Sequence, residues 1–233
     1  MLIRYVTLKS KFKSRFIHAA GFLSCLWLVL GLGIMTATAS QDSYKLAALG
    51  DSLTAGYGLQ GPDSFPIQLQ NLLKNKGYNV SVQNAGVSGD TAAGGLARLD
   101  WSLGNDVDGV IIELGANDAL RGISPGSTRT SLENIIARLK QRKIDVLLTG
   151  MLAPPNLGPD YADSYNAIFP NLAKKYNLVF YPFFLKDVAA VPSLNQPDGI
   201  HPTAAGVKII VRNLLPKVEE MLTNSERFRQ KKR

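Results

Sequence analysis

From Tyr44 onward, short apolar runs alternate with stretches of helical periodicity. Residues 45–49 form a largely apolar run that stops at Gly50. Residues 64–76 follow, with Phe65, Leu69, Leu72 and Leu73 on one helical face and Gly77 as the stop signal. Residues 79–83 alternate as a strand, and residues 92–103 carry a weaker helical pattern. Residues 110–114 read as a strand between Gly109 and Gly115. Leu132, Ile135, Ile136 and Leu139 then recur at i, i+3, i+4 and i+7, a stripe that faces a core. Residues 144–149 predict a further strand, residues 161–176 a helix that tolerates Pro170, and residues 178–185 start as a fifth strand. A last helix starting at Thr203 carries Val207, Ile210, Val211, Leu214 and Val218, and Pro216 is expected to kink it or end it early. Five β runs alternating with helices imply a mainly parallel sheet covered on both faces, a three-layer α/β/α sandwich. In such sheets, sites form outside the carboxyl ends of the strands.

Composition sharpens this picture. The chain has 233 residues, 45% of them hydrophobic, with a formal net charge of +8. That apolar fraction argues against a disordered chain and suits one core. The charge suggests nucleic acid until it is divided. Residues 1–39 hold Arg4, Lys9, Lys11, Lys13 and Arg15 with no acid. Residues 225–233 hold Arg227, Arg229, Lys231, Lys232 and Arg233 against Glu226. The stretch between them is left with a net −1, which offers no basic face for nucleic acid.

The amino-terminal block has its own logic. A basic segment, an apolar run over residues 19–35 and the small-residue site Ala37-Thr38-Ala39 together read as a signal peptide, residues 1–39. The mature protein is then expected in the periplasm or secreted, with no stable membrane span. An uncleaved anchor is the competing reading, disfavoured because no basic stop-transfer flank follows. Cys25 lies inside the run, so cleavage leaves a cysteine-free domain over residues 40–224 that depends on its core rather than on disulfides. Residues 225–233 show no apolar periodicity and predict a solvated basic tail.

The polar residues that interrupt this pattern cluster at the expected strand ends. Gly50-Asp51-Ser52-Leu53 follows the first strand, Ser88-Gly89-Asp90-Thr91 the second, and Gly115-Ala116-Asn117-Asp118 the third. Asp198-Gly199-Ile200-His201 precedes the last helix. A serine, a histidine and an aspartate are the ingredients of nucleophilic acyl transfer, recognised by geometry and role rather than by chain order. His201 is the only histidine outside the leader, since His18 lies within it. Singly, each cluster has a plainer reading as a turn, a helix cap or an Asx turn. Together, in this order, they resemble blocks I, II, III and V of the SGNH (GDSL) hydrolase family, and most of all its bacterial periplasmic arylesterases and thioesterase/lysophospholipases.

The resemblance spans the mature chain and implies a flavodoxin-like fold with a five-stranded sheet and a cofactor-free serine hydrolase. It implies Ser52 as nucleophile, His201 as general base and acid, and Asp198 as the group that orients the imidazole. It also implies an oxyanion hole made of the Ser52 and Gly89 backbone N–H groups and the Asn117 amide. Asp51, Asp90 and Asp118 are expected to brace these loops by hydrogen bonds. The apolar stretches after the third and fourth strands are expected to line the acyl side of the cleft, through Leu120, Arg121, Ile123, Ala153, Pro154 and Asn156. Carboxylic esters with an acyl chain, and thioesters as a second class, are the expected small-molecule substrates. Activity is expected to rise with pH as His201 becomes neutral. The oligomeric state is not legible in the residues.

Other chemistries are weaker. Gly56-Tyr57-Gly58-Leu59-Gln60-Gly61 matches G-x-G-x-x-G, but it neither directly follows the strand nor opens the helix, and no acid ends the second strand. G-x-S-x-G is absent, which argues against an α/β-hydrolase elbow. No H-E-x-x-H or clustered Cys/His pattern points to a metal. A carbohydrate O-deacetylase on the same fold would share the triad but show more polar and aromatic cleft loops. A catalytically dead binding module is disfavoured because the whole constellation is present.

Overall fold

The computed structural model describes residues 43–232. The predicted leader with Cys25 and His18, and the alternative anchor, lie outside the described residues. Among the described residues no helix is long and apolar enough to cross a membrane.

Five parallel strands form one sheet: β1 (Tyr44–Gly50), β2 (Val80–Gly86), β3 (Gly109–Glu113), β4 (Asp145–Thr149) and β5 (Val179–Tyr181), in the spatial order β2-β1-β3-β4-β5. Every residue of β3 is buried, as helices on both faces require, whereas the edge strand β2 buries only Val80, Val82 and Ala85. Helix α1 (Ser52–Ala55) follows β1 at once and α2 (Phe65–Asn75) makes the crossover to β2. Two short helices, α3 (Ala92–Ala97) and α4 (Leu99–Ser102), then lead to β3, and α5 (Ala116–Leu120) and α6 (Pro125–Gln141) lead to β4. The crossover to β5 uses α7 (Pro159–Asn166) and α8 (Ile168–Tyr176), and the chain closes with α9 (Ala204–Asn224) and α10 (Glu226–Lys231). Helices α2 and α9 pack together as one layer, and α3, α6 and α8 form the other.

The predicted core stripe of α6 is fully buried at Leu132, Ile135, Ile136 and Leu139. Each such side chain contributes about 1.5–3 kcal/mol relative to exposure. Ser124 caps this helix, its hydroxyl accepting the Ser127 N–H at 3.3 Å, and Pro125 supplies the fixed φ of the first turn. On the opposite layer Leu69 and Leu73 of α2 meet Val207, Ile210, Val211 and Leu214 of α9 in the same core.

Several expectations are corrected. Helix α9 runs unbroken through Pro216 to Asn224. Proline removes one main-chain hydrogen bond, and burial of Leu214, Leu215, Val218, Met221 and Leu222 on both sides of it offsets that loss. The helix over residues 161–176 is two helices meeting at Ala167, because Pro170 has no N–H for the Asn166 carbonyl. The pattern over 92–103 is also two short helices, divided at Arg98 where φ −102° and ψ 4° leave helical geometry. The stretch over 178–185 does start as a strand, and β5 stops at Tyr181, where Pro182 cannot donate to the ladder.

The basic tail is not a solvated end. Ser225 caps α10 by accepting the Phe228 N–H at 3.0 Å, and the Phe228 ring packs edge-on to Tyr44 of β1 at 5.7 Å between centroids. Arg227 and Lys231 both pair with the buried carboxylate of Asp108, at 3.4 and 2.6 Å. The Phe228 ring, these ion pairs, and hydrogen bonds from Arg227, Arg229 and Lys231 to the Arg142, Thr223 and Ser43 carbonyls hold this helix, a pattern with no hydrophobic period to reveal it.

Candidate active site

The strand order reverses between β1 and β3: the chain leaves β1 for β2 on one side and later fills β3, β4 and β5 on the other. The crevice outside these two carboxyl ends is where such sheets bind ligands. Ser52 stands at the end of β1 and Asn117 just beyond the end of β3.

The turn that carries Ser52 is held from below. Asp51 caps α1 by accepting the Leu53 N–H at 3.0 Å, and its own N–H reaches Glu113 Oε2 at 3.3 Å. Thr54 Oγ1 donates to the same Glu113 oxygen at 2.8 Å. Gly50 is required here, because a Cβ would stand 2.1 Å from Thr54 Oγ1 and 2.5 Å from Glu113 Oε2. Asp51 and Glu113 are both fully buried. Burial pushes the Glu113 carboxyl well above the usual range, and the Asp51 carboxylate pushes it the same way. Burial also raises Asp51 to about 6, against the Leu53 N–H and the Asn117 amide, which favour its charged form.

The imidazole comes from the loop before α9. An isolated bridge joins Asn195 to Pro202, and Gln196 ties this loop to the Tyr57 carbonyl at 2.7 Å. Within it, Asp198 Oδ1 accepts the N–H groups of Ile200 and His201 at 2.9 and 3.0 Å. Asp198 Oδ2 lies 2.7 Å from His201 Nδ1, and His201 Nε2 lies 2.9 Å from Ser52 Oγ. The His201 backbone N–H, its ring and the Ile200 N–H hold the Asp198 carboxyl down at about 2, so it is an anion at any working pH. That anion accepts a proton from Nδ1 and leaves the Nε2 lone pair facing the serine hydroxyl. The Tyr57 ring packs on the imidazole at 4.5 Å between centroids, tilted by 36°.

The three remaining donors are tied to one another. Asn117 Nδ2 gives one hydrogen to Asp51 Oδ2 at 3.1 Å, which fixes the amide and leaves its second hydrogen available. Arg121 bridges the Gly89 carbonyl at 2.8 Å and Asn117 Oδ1 at 3.5 Å. Gly89 has φ +85°, a conformation that suits glycine. The N–H groups of Ser52 and Gly89 find no acceptor among the described residues. Asp90 holds Arg98 at 2.5 Å, and Asp118 accepts the Ala92 N–H and the Thr128 hydroxyl at 2.8 and 2.9 Å, so all three aspartates brace loops.

A cavity of about 430 Å³ opens beside Ser52, Asn117 and His201. Its wall is otherwise apolar apart from Asn195. Leu53, Ala119 and Leu120 come from the first and third strand ends, Met151, Leu152 and Pro154 from the fourth, and Phe183, Leu185 and Ala189 from the chain after β5. Of the residues expected to line it, Leu120 and Pro154 do so; Arg121, Ile123, Ala153 and Asn156 do not. Arg121 is turned toward Gly89, the Ile123 carbonyl accepts the Tyr161 hydroxyl, the Ala153 N–H goes to Asn166, and Asn156 is exposed. The segment after β5 carries no motif that marks it as cavity wall; residues 178–185 begin as a strand, and Pro182 is the signal that the chain turns there. Glu113 was announced only by a lone acid closing an apolar strand. Among the described residues no group of three or more His, Cys, Asp or Glu side chains is placed to hold a metal ion.

An arylesterase of Vibrio mimicus is 41% identical over 176 residues, covering 75% of this chain and 88% of its own. An Escherichia coli protein named thioesterase 1/protease 1/lysophospholipase L1 is 40% identical over 158 residues, covering 67% of this chain and 74% of its own. Among solved structures, AlinE4, an SGNH-hydrolase family esterase, superposes with a TM-score of 0.65 at 46% identity, over 77% of this chain and 96% of that one. The family model that matches describes a GDSL-like lipase/acylhydrolase and runs over residues 48–209, from within β1 to the first turns of α9. A match that runs from the end of β1 through the other four strands and takes in all four polar clusters shows that the chain belongs to the GDSL-like lipase/acylhydrolase family of hydrolases.

Proposed function

We propose that the protein hydrolyses carboxylic esters, and acyl thioesters as a second class, through an acyl intermediate on Ser52. Ser52 Oγ attacks the acyl carbon while His201 Nε2 takes its proton, and the carbonyl π pair moves onto the oxygen. The Ser52 and Gly89 N–H groups and Asn117 Nδ2 stabilise that oxyanion. The tetrahedral adduct collapses, the bond to the leaving alcohol or thiol breaks, and His201 returns the proton to it. Water then attacks the acyl-enzyme with His201 again as base, and the acid leaves with Ser52 restored. Asp198 fixes the imidazole and offsets the charge it gains at each step.

The observation that carries this reading is the hydrogen-bonded chain from Asp198 through His201 to Ser52, at 2.7 and 2.9 Å. The apolar cavity beside it favours an acyl chain over a sugar, which disfavours carbohydrate deacetylation. The relatives named arylesterase and thioesterase/lysophospholipase point to the same two substrate classes. The test is a panel of acyl esters and acyl-CoA thioesters of graded length on the wild type and Ser52→Ala, with fluorophosphonate labelling of the serine. Turnover retained in Ser52→Ala, or a label on another residue, would sink the assignment. We also place the mature protein in the periplasm or outside the cell after cleavage near Ala39; the mature amino-terminal residue tests this.

A further inference from the structure

We propose that Arg98 is a positioning residue that sets the spacing between two oxyanion donors, the backbone N–H groups of Ser52 and Gly89. The proposal rests on the oxyanion hole described under the proposed function and adds a residue to what holds it.

Arg98 lies at the break between α3 and α4, where φ −102° and ψ 4° interrupt the helix. Its side chain is only 14% exposed and all three of its nitrogens are used. Nε donates to Asp90 Oδ2 at 2.5 Å, one terminal nitrogen to Ser102 Oγ at 2.8 Å, and the other to the Gly50 carbonyl at 2.9 Å. The two ends of this reach matter. Gly50 contributes its carbonyl to the peptide immediately before Asp51-Ser52, and that oxygen also accepts the Val87 N–H at 3.0 Å. The other end of the same peptide, the Asp51 N–H, is held by Glu113. Asp90 follows Gly89 and closes its turn, the Asp90 N–H reaching the Val87 carbonyl at 3.1 Å. One rigid guanidinium therefore grips the peptide that aims Ser52 and the residue that follows Gly89.

The surroundings are shaped for this grip. A Cβ on Gly94, one helical turn before Arg98, would stand 2.7 Å from Asp90 Oδ1, so glycine there leaves room for the carboxylate. Lysine could keep the charge opposite Asp90 but has a single nitrogen and cannot span Asp90 and Gly50 in a fixed fork. An oxyanion donor acts only when it is preset where charge develops, so a small error in spacing raises the barrier without disturbing ground-state binding.

Arg98→Ala, Arg98→Lys and Asp90→Asn are to be compared with the wild type on p-nitrophenyl esters, with thermal unfolding measured alongside. The expected result is a kcat lowered by roughly 10–100-fold in folded Arg98→Ala, with KM within about twofold. Arg98→Lys and Asp90→Asn should fall between it and the wild type. Added guanidinium at non-denaturing concentration should restore part of the Arg98→Ala rate, and the pH profile should keep its shape. Fluorophosphonate should label Ser52 more slowly in step with kcat, since its phosphoryl oxygen enters the same hole. Wild-type kcat in the folded variants, a loss confined to KM, or wild-type labelling beside a reduced kcat would overturn the proposal. If Arg98→Ala does not fold, Arg98→Lys and Asp90→Asn carry the same readouts. Retained activity in Ser52→Ala would instead bring down the underlying reading, so the two failures are distinguishable.

Discussion

Two aspartates within the same site are pushed in opposite directions by their surroundings. Asp198 accepts two backbone N–H groups and the imidazole and is held at about 2, while burial raises Asp51 to about 6. Replacing Asp198 by Asn swaps an acceptor for a donor opposite Nδ1 and favours the wrong tautomer. Asp198→Asn is expected to lower kcat by roughly 10²–10⁴-fold with little change in KM, measured by steady-state hydrolysis. For Asp51 the sign runs through proton linkage. Its folded-state value lies above the ordinary aspartate value of about 4, so the folded protein binds the extra proton between those limits. Its favourable contribution is full below about pH 4 and is lost as pH rises to about 6. Urea unfolding of wild type and Asp51→Asn across that window should show the wild type losing stability relative to the variant as pH rises; a constant difference would refute the assignment. That Ser52, His201 and Asp198 would come together was legible, because the roles proposed for them demand particular residue types at the carboxyl end of the sheet. Arg98 and Glu113 were not, because an arginine in a helix or an acid ending a strand acquires meaning only from the backbone group it meets.

At the scale of elements, apolar periodicity located the strands and the long helices, and it failed where something else sets the boundary. Pro216 reads as a stop, yet the apolar residues after it are buried and carry α9 onward. Helix α10 shows the converse, since a single phenylalanine gives no period. Its anchors are Tyr44 at the start of β1 and Asp108 just before β3, both at the amino-terminal end of the sheet and away from Ser52. Phe228→Ala should therefore lower stability by about 1–3 kcal/mol and leave kcat on a short ester unchanged, read by chemical unfolding and steady-state rates. A change in turnover without a change in unfolding would contradict that separation. The loop after β5 is the third such case: its side chains enter the cavity because the Phe184 N–H bonds back to the Gly150 carbonyl at 2.9 Å, a contact between distant segments with no local signature.

At the scale of the molecule, the alternation of strands and helices implied three layers, and the order β2-β1-β3-β4-β5 turns those layers into a reactive crevice. The order brings the ends of β1 and β3 side by side, so Ser52 and Asn117, far apart in sequence, become neighbours, as the proposed roles of nucleophile and oxyanion donor require. The cavity is assembled on the same principle, from the segments that follow β1, β3, β4 and β5 and from the loop before α9, whose apolar side chains supply its wall. Substrate choice is then a property of the assembled wall rather than of any one motif. Leu185 lines that wall from the segment after β5 and touches none of the hydrogen bonds around Ser52, His201 or Asn117. Leu185→Trp removes space for the acyl chain while leaving the reacting groups in place. Each methylene that no longer fits is worth about 1–3 kcal/mol, so kcat/KM should fall progressively along a series of longer acyl esters while the acetyl ester is hydrolysed at close to the wild-type rate. An equal loss at every chain length would mean that the cavity beside Ser52 does not receive the acyl group, and that the leaving group occupies it instead.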